Sequence, residues 1–350
     1  MADKNLGSEL NMVQRFWGRD YVFSPLGDGH VNDTFLARQK GVPELVFQRL
    51  NGNVFENVVL LQHQTAQLLT HLSRDANFSE RFVVPEIVPS LNGEMVVMHE
   101  DWYWRAWRFI EGSVCDERLE SIEQVETAAE AFGCFQRALI DFHPESWRLQ
   151  VPNFQSFDFY REELLALGKS SKNPYVKDLI LAADQWAHED YFNNGKQSYI
   201  HGDCKVTNLL FDDSSDVAKS IIDLDTVHLR SWTLDFADFV RSVCSGNGGF
   251  NRLFYASALR GFLRGKEISR EDLMLSMDSL IRGPIAITLM LAIRFASDHL
   301  RGNVYFNVKE HGENLQRSLE QYRLFKEFQD SQLWMSEVFD QMRTDLIEEW

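Results

Sequence analysis

The feature of this sequence that most limits its fold is a change of pattern near Gly112. Before this point the chain consists mainly of short β-prone runs separated by glycine-containing breaks, and after it apolar residues recur at helical spacing. A chain that changes from a period of two to a period of 3.6 builds a different kind of core on each side of the change. The sequence therefore predicts an α+β fold with two lobes, residues 1–111 and residues 112–350.

The first lobe is predicted to be a small antiparallel sheet with one helix. An apolar stripe of helical spacing over residues 57–73 stands between the third and the fourth of five β-prone runs. The runs are residues 21–26, 34–38, 44–50, 94–99 and 103–110. The last two flank a short turn, as in a hairpin. The expected order is strand, strand, strand, helix, strand, strand.

The second lobe is predicted to be mainly helical. Apolar residues repeat every three or four positions from Ile122 to Phe142, which is typical of an amphipathic helix. Further helices are expected at residues 156–168, 174–192, 251–264, 270–302 and 312–345. The exception is the middle of the lobe, where charged residues interrupt three short β-prone runs, residues 198–201, 208–211 and 220–224. The polar residues able to carry chemistry concentrate there.

Charge and composition exclude several classes of partner. Asp and Glu number 52 against 35 Lys and Arg, a formal net charge of −17, so nucleic acid and anionic membranes are poor partners. The longest apolar run, Pro284 to Ile293, is too short to span a bilayer, and the N-terminal segment lacks a signal-peptide pattern. Four scattered cysteines favour free thiols in a reducing compartment. We expect a cytoplasmic protein, and the sequence does not fix its oligomeric state.

Two motifs in the middle of the second lobe point to phosphoryl transfer. They are residues 201–208, HGDCKVTN, and residues 221–225, IIDLD. In a phosphoryl-transfer loop an aspartate accepts the proton of the acceptor hydroxyl, and an asparagine five residues later reaches the metal. Asp203 and Asn208 have that spacing, and Lys205 is placed to contact the γ-phosphate. Asp223, with Asp225 as a second candidate, would complete the metal site, so ATP and Mg²⁺ are the predicted cofactors.

These motifs resemble the aminoglycoside phosphotransferase and choline kinase superfamily, which has a protein-kinase-like bilobal fold. Within it the chain is most similar to N-acetylhexosamine 1-kinases. The closer resemblance rests on residues 27–32, 46–51, 104–111, 235–238 and 294–298, and on Tyr305 and Phe306. It implies a small antiparallel β-rich N-lobe, a larger mainly helical C-lobe, and a small-molecule sugar substrate together with MgATP. It also implies transfer to the anomeric hydroxyl of N-acetylglucosamine or N-acetylgalactosamine.

The resemblance also implies further site residues. The nucleotide would be bound by a short glycine loop, by the third strand, and by the backbone of the segment that joins the lobes: Gly27, Gly29, Gln48, Arg108, Phe109 and Ile110. The sugar would be held beside Asp203 by side chains that form planar and bidentate hydrogen bonds: His30, Arg294 and Tyr305.

One position departs from the usual kinase pattern. Gln48 stands where kinases place a phosphate-binding lysine, as it does in the kinases that this chain resembles, and the following helix has Gln62, His63 and Gln64 instead of a clear glutamate. Arg49 is next to it, but strand alternation directs Arg49 to the opposite face. Lys205 is therefore the predicted substitute for the missing lysine.

Three functions are compatible with the sequence. The first is an anomeric hexosamine kinase, the second a kinase for another small hydroxyl compound such as a different sugar, an aminoglycoside or choline, and the third a catalytically inactive nucleotide or sugar binder. Arg294 would repel a cationic substrate, which favours a neutral one. An ion pair of Arg294 with Asp298, four residues later on one helical face, is an equal alternative for that arginine. The sequence does not rank N-acetylglucosamine against N-acetylgalactosamine.

Overall fold

A computed structural model describes residues 6–27, 31–187, 196–246 and 248–348. Two predicted site residues, Gly29 and His30, lie outside the described residues. The chain divides into two compact units. Unit 1 comprises Met1–Ser113 and Pro144–Pro152, and unit 2 comprises Val114–His143 and Asn153–Trp350.

Unit 1 is an antiparallel sheet with one long helix. Its strands are β1 (Val22–Pro25), β2 (Asp33–Gln39), β3 (Val42–Leu50), β4 (Ile87–Val88), β5 (Val97–His99) and β6 (Trp102–Arg108), in the order β1-β2-β3-β6-β4, with β5 also paired to β6. The helices are α1 (Leu6–Val13), α2 (Val58–Arg74) and the short α3 (Ala76–Ser79). The predicted strands and the helix between them are confirmed, and β4, α1 and α3 are additions.

The register of the sheet decides which side chains of unit 1 meet. Gln48 on β3 is paired with Arg105 on β6, and Arg49 with Trp104. Because successive residues of a strand point to opposite faces, Gln48 and Arg105 share one face while Arg49 and Trp104 share the other. The first face meets α2 through Gln62, and the second meets α1 through a salt bridge from Arg49 to Glu9.

Unit 2 is mainly helical. Its helices are α4 (Ile122–Ala138), α5 (Phe157–Gly168), α6 (Pro174–Trp186), α7 (Thr233–Gly246), α8 (Arg252–Lys266), α9 (Arg270–Arg301), α10 (Glu313–Asp330) and α11 (Gln332–Glu348). The single helix predicted over residues 312–345 is wrong, because α10 ends at Asp330 and its C-cap residue Ser331 leaves the helical conformation, with φ −94° and ψ 1°. The end of the helix predicted over 174–192 lies partly outside the described residues. Helix α7 was not predicted from the sequence.

Helix α9 passes through the core of unit 2. By length and composition alone its 32 residues are enough to cross a membrane, which corrects the expectation drawn from the shorter run Pro284 to Ile293. However, 83% of its most apolar stretch is buried inside the protein. Such burial is what a helix that is apolar on all sides has when other helices surround it.

Short strands in unit 2 place the two sequence motifs side by side. These strands are β8 (Gln197–Ile200), β9 (Leu209–Asp212), β10 (Ala218–Ile221) and β11 (His228–Ser231), and β7 (Ser113–Val114) precedes them at the point in the chain where unit 1 ends. Ile200 at the end of β8 pairs with His228, and Leu209 at the start of β9 pairs with Ile221. The loop 201–208 therefore lies against the segment 222–227. Strand β11, which was not predicted, is the partner of β8 in this pairing.

Candidate active site

The loop 201–208 is held by a buried carboxylate on α7. Asp235 is fully buried, and its Oδ2 accepts hydrogen bonds from the His201 N–H at 2.8 Å and from Gln136 Nε2 at 2.7 Å. Its Oδ1 accepts from the Gly202 N–H at 2.8 Å. A buried carboxylate with three donors fixes the backbone immediately before Asp203. Sequence reasoning singled out Asp235 only through the resemblance, and the unpredicted α7 is what brings it to the loop.

Gly202 allows the loop to approach the segment 222–227 closely. Its φ is +82°, and a Cβ at this position would lie 2.5 Å from the carbonyl oxygen of Thr226. The Thr226 hydroxyl donates to the His201 carbonyl at 3.0 Å, and Gln155 Nε2 donates to the Gly202 carbonyl at 2.6 Å. No other residue fits here, because a side chain would meet both the positive φ and the neighbouring backbone.

His201 links the two sequence motifs. It is fully buried, with its ring edge-on to Phe132 and Phe135. Its Nε2 lies 3.0 Å from the Ile222 carbonyl and its Nδ1 accepts from the Asp203 N–H at 3.3 Å, so the Nε2–H tautomer satisfies both contacts. These contacts give His201 the role of positioning the loop.

Asp203, Lys205 and Asn208 converge as their spacing predicts. Lys205 Nζ lies 2.8 Å from Asp203 Oδ2, and Asn208 Nδ2 donates to the carbonyl oxygen of Asp203 at 2.8 Å and to its Oδ2 at 3.1 Å. Burial by itself would raise the pKa of Asp203, but the positive charge of Lys205, with smaller contributions from His201 and Arg241, lowers the pKa. Burial by itself would lower the pKa of Lys205, but the negative charges of Asp203 and Asp223 have the larger effect and raise that pKa. The pair is therefore a carboxylate and an ammonium at neutral pH.

Asn208 and Asp223 fit a small hard cation. The Ile222 N–H donates to the Asn208 carbonyl at 3.0 Å, which joins the two segments. Asp223 has a left-handed backbone, φ 63° and ψ 57°, and an exposed side chain, whereas Asp225 is only 4% exposed. Within the described ranges no three His, Cys, Asp or Glu side chains form a metal-binding cluster. Mg²⁺ commonly takes one or two protein oxygens and completes its shell with substrate phosphates and water, so the amide oxygen of Asn208 and the carboxylate of Asp223 suit it better than Asp225 does.

Arg294 and Tyr305 lie in the same region as Asp203. The guanidinium of Arg294 is surrounded by four aromatic rings, with centroid distances of 5.7, 5.0, 5.5 and 5.4 Å to Phe154, Tyr160, Tyr305 and Phe306. Burial alone would lower its pKa, but Tyr160 and Tyr305, together with the carboxylates of Asp203 and Asp238, raise it. The structure thus brings together three of the residues predicted to hold the acceptor.

Asp298 has a different role from the one that sequence spacing suggested. Within the described part of the chain it makes no ion pair with Arg294, so that alternative is wrong. Its carboxylate accepts four other hydrogen bonds, from the N–H groups of Val304, Tyr305 and Phe306 and from Asn314 Nδ2, at 2.8–3.0 Å. Asp298 therefore fixes the backbone that carries Tyr305.

The side chain of Gln48 in unit 1 forms hydrogen bonds with neighbouring side chains of the sheet. Its Oε1 accepts from Arg105 Nε at 2.9 Å and from Trp107 Nε1 at 2.8 Å, while Arg105 Nη1 also donates to Gln62 Oε1 at 3.2 Å. Arg49 lies on the other face as predicted, paired with Glu9 and Asp33. Sequence reasoning missed Arg105. The available signal was an arginine inside an apolar strand, but only the strand register pairs it with position 48.

The predicted adenine-binding segment is largely tied into the sheet of unit 1. The N–H of Arg108 donates to the Glu86 carbonyl at 2.9 Å, the N–H of Phe109 donates to the Glu44 carbonyl at 3.0 Å, and Ser113 Oγ donates to the Ile110 carbonyl at 2.6 Å. Across the residues that the structure describes, the Ile110 N–H has no acceptor. An adenine bound here would use that N–H. Gly27 follows β1 with a φ of +72°, and no atom of the described residues lies within 4 Å of an added Cβ at this position.

Comparison with known families decides the class of the protein. The model of the phosphotransferase enzyme family known as APH matches residues 22–271. The chain belongs to this family. The match runs from β1 to the first residues of α9, and thus includes the loop 201–208 and the segment 222–227. The protein is a small-molecule phosphotransferase of the APH family.

Solved structures similar to this APH phosphotransferase have the same fold. A microcompartment-associated aminopropanol kinase matches with a TM-score of 0.63 and 14% identity over 94% of this chain and 98% of that one. An amicoumacin kinase in complex with AMP-PNP and Ca²⁺ matches with a TM-score of 0.60 and 12% identity over 93% of each chain. An aminoglycoside phosphotransferase from Alicyclobacillus acidocaldarius matches with a TM-score of 0.57 and 15% identity over 96% of this chain and 95% of that one. These similarities confirm the predicted α+β, protein-kinase-like fold.

The buried carboxylate of Asp235 makes a testable contribution to the stability of this APH phosphotransferase. Asp235→Ala leaves the N–H groups of His201 and Gly202 buried without an acceptor, and we expect it to lower the free energy of unfolding by about 3 kcal/mol. Denaturant titration measures the loss. The matched control is Asp158→Ala, which removes an exposed acid from the first turn of α5 and should cost less than about 1 kcal/mol. Equal costs for the two variants would contradict the assigned role of Asp235.

Proposed function

We propose that this APH phosphotransferase transfers a phosphoryl group from ATP, with Mg²⁺, to the anomeric hydroxyl of an N-acetylhexosamine, forming the sugar 1-phosphate. The observation that carries the proposal is the position of Arg294, which lies close enough to Asp203 for their charges to interact and has the Tyr305 ring 5.5 Å from its guanidinium. The reaction needs a base, a cation for the transferred group, a metal site and an acceptor site.

Asp203 has the properties of a base for a hydroxyl acceptor. Its pKa is lowered by Lys205, so it is ionised at neutral pH, and its position is fixed through the backbone that Asp235 holds. Lys205, 2.8 Å from Asp203, would place positive charge where the transferred phosphoryl group meets the acceptor. Asn208 and Asp223 would hold Mg²⁺, which neutralises the phosphates when bound.

The surroundings of Arg294 favour a neutral acceptor over a cationic one. Aromatic rings that surround a cation are the usual device for binding a quaternary ammonium group. Here the guanidinium of Arg294 already occupies the space between Tyr160, Tyr305 and Phe306. A choline or aminoglycoside cation would therefore meet a like charge instead of an open aromatic face. A neutral sugar offers hydroxyl and acetamide oxygens that accept hydrogen bonds from a guanidinium.

Two arguments support the anomeric hydroxyl as the reacting group. The anomeric hydroxyl is the most acidic one of the sugar, so its proton passes most readily to an ordinary carboxylate. The segments around Arg294 and Tyr305 resemble those of N-acetylhexosamine 1-kinases, and these residues would orient the ring so that C1 faces Asp203. A 6-kinase would use the same loop with the sugar turned around.

A substrate panel tests the proposed function. N-acetylglucosamine, N-acetylgalactosamine, other hexoses, choline and aminoglycosides are each incubated with MgATP, and ADP release is measured. We expect turnover with the two N-acetylhexosamines, and a product whose phosphorus couples to the anomeric proton in NMR spectra. The matched control is the 1-O-methyl glycoside of the same sugar, which should be inert. Turnover of choline, an aminoglycoside or the methyl glycoside would contradict the proposal. If none of the compounds leads to ADP release, the protein is an inactive binder.

A further inference from the structure

A buried arginine occupies the face of the unit 1 sheet where kinases carry their phosphate-binding lysine. Arg105 on β6 is 1% exposed and is the cross-strand partner of Gln48 on β3. Its Nε lies 2.9 Å from Gln48 Oε1, so the guanidinium is within hydrogen-bond distance of the end of the position-48 side chain. Stacking on the Trp107 ring, 4.9 Å from its centroid, fixes the guanidinium further.

The side chains around Arg105 form a hydrogen-bonded network that contains one buried donor, on Gln62, without an acceptor among the described residues. Gln48 Oε1 accepts from both Arg105 and Trp107, and Gln62 Oε1 on α2 accepts from Arg105 at 3.2 Å. Gln62 is 1% exposed, and its Nε2 has no acceptor among the residues that the structure describes. A buried donor without an acceptor is costly, and an anion such as a phosphate is the kind of ligand that satisfies it.

We propose that Arg105 supplies the positive charge for the nucleotide phosphates that a strand lysine supplies in other kinases, from β6 instead of β3. The inference rests on the proposed use of ATP, but it is independent of the acceptor sugar. Arg105 thus takes over, in unit 1, the substitution that the sequence had assigned to Lys205. Lys205 retains its separate role at the transferred phosphoryl group.

The glutamine at position 48 follows from this arrangement. A lysine at position 48 would bring a second cation within hydrogen-bond distance of the Arg105 guanidinium, and the two charges would repel each other in a poorly solvated environment. A glutamine instead presents an oxygen that accepts from Arg105 and Trp107. A buried cation also acts more strongly on a nearby anion than an exposed one does. This matters in a chain of net charge −17, where only local cations attract ATP.

Calorimetry without sugar tests the inference on the whole protein. Arg105→Gln is titrated with MgATP, MgADP and adenosine. We expect the affinities for MgATP and MgADP to fall by about tenfold or more, and the affinity for adenosine to stay within about twofold, because adenosine has no phosphate. The matched control is Arg49→Gln, which removes a buried arginine of the same sheet that lies on the opposite face and stacks on Trp102. Its three affinities should stay near the wild-type values.

A compensating double variant gives an independent test. Gln48→Lys combined with Arg105→Gln moves the positive charge to the other member of the same cross-strand pair, and we expect it to recover most of the affinity for MgADP. The inference would be overturned if Arg105→Gln bound MgADP with wild-type affinity, or if it lost as much affinity for adenosine as for MgADP. It would also be overturned if Arg49→Gln lost as much affinity for MgADP, or if the double variant recovered none. Failure of the sugar panel while MgADP still binds would contradict the proposed acceptor alone, whereas failure of the wild type to bind MgADP would contradict the use of ATP.

Discussion

Replacement of Asp203 by asparagine is expected to reduce kcat by a factor of about 10³ or more, with the affinity for MgATP changed only a few fold. The amide is nearly the same size as the carboxylate, so the loop and its contact with Asn208 remain, but an amide does not accept a proton. The wild-type carboxylate is available as a base over a wide range, because Lys205 keeps its pKa below the ordinary aspartate value. The acid limb of the pH–rate profile should therefore lie below that ordinary value.

Steady-state kinetics and MgATP calorimetry measure the two parts of this prediction separately. Asp212→Asn is the matched control, because Asp212 ends the adjacent strand β9 and interacts with Ser214 and Lys219 instead of the loop. The control should retain wild-type kcat. Near-normal turnover in Asp203→Asn would rule out Asp203 as the base, and an equal loss in Asp212→Asn would point to a general weakening of the hairpin.

Replacement of Lys205 by methionine is expected to lower kcat by a factor of about 100 or more, equivalent to about 3 kcal/mol of transition-state stabilisation. The ammonium would contact the oxygens of the phosphoryl group as it transfers, and an interaction formed mainly in the transition state changes kcat more than substrate affinity. KM for ATP should therefore change only a few fold. This separates the role of Lys205 from that of Arg105, whose loss should appear in nucleotide binding.

The pH dependence of the Lys205 variant gives a second measurement. Lys205 is the main positive charge that lowers the pKa of Asp203, so removing it should raise that pKa and shift the acid limb of the kcat/KM profile to higher pH. Lys219→Met, which removes the lysine paired with Asp212, is the control and should leave the profile unchanged. Near-normal kcat in Lys205→Met, or the same shift of the profile in Lys219→Met, would contradict the role given to Lys205.

Local patterns account for the parts of the structure that were predicted correctly. The strands β1, β2 and β3 and the helix α2 are each specified by neighbouring residues, because strand and helix periodicity act over a few positions. The convergence of Asp203, Lys205 and Asn208 was predictable for the same reason, since these residues share one loop. The α+β class followed from the sum of such local signals.

The errors occurred where local signals were weak. Helix α7 and strand β11 lie next to the strongest motif. Helix α7 was missed because buried acids such as Asp235 and Asp238 interrupt its apolar positions, and β11 was missed because it has only four residues. The break between α10 and α11 was missed because good helix formers continue on both sides of Ser331. Spacing also gave the wrong partner for Asp298, whose carboxylate binds the backbone of residues 304–306.

The sequence by itself determined the α+β class and the grouping of Asp203, Lys205 and Asn208 in one loop, because both depend on residues that are close along the chain. Only the tertiary structure decided which distant residues complete the sites. Arg105 meets Gln48 through a strand register that joins positions 57 residues apart, and Arg294 is surrounded by rings from two other segments, at Phe154 and Tyr160 and at Tyr305 and Phe306. Such contacts depend on how whole elements pack, and a one-residue change of register would move Arg105 to the opposite face.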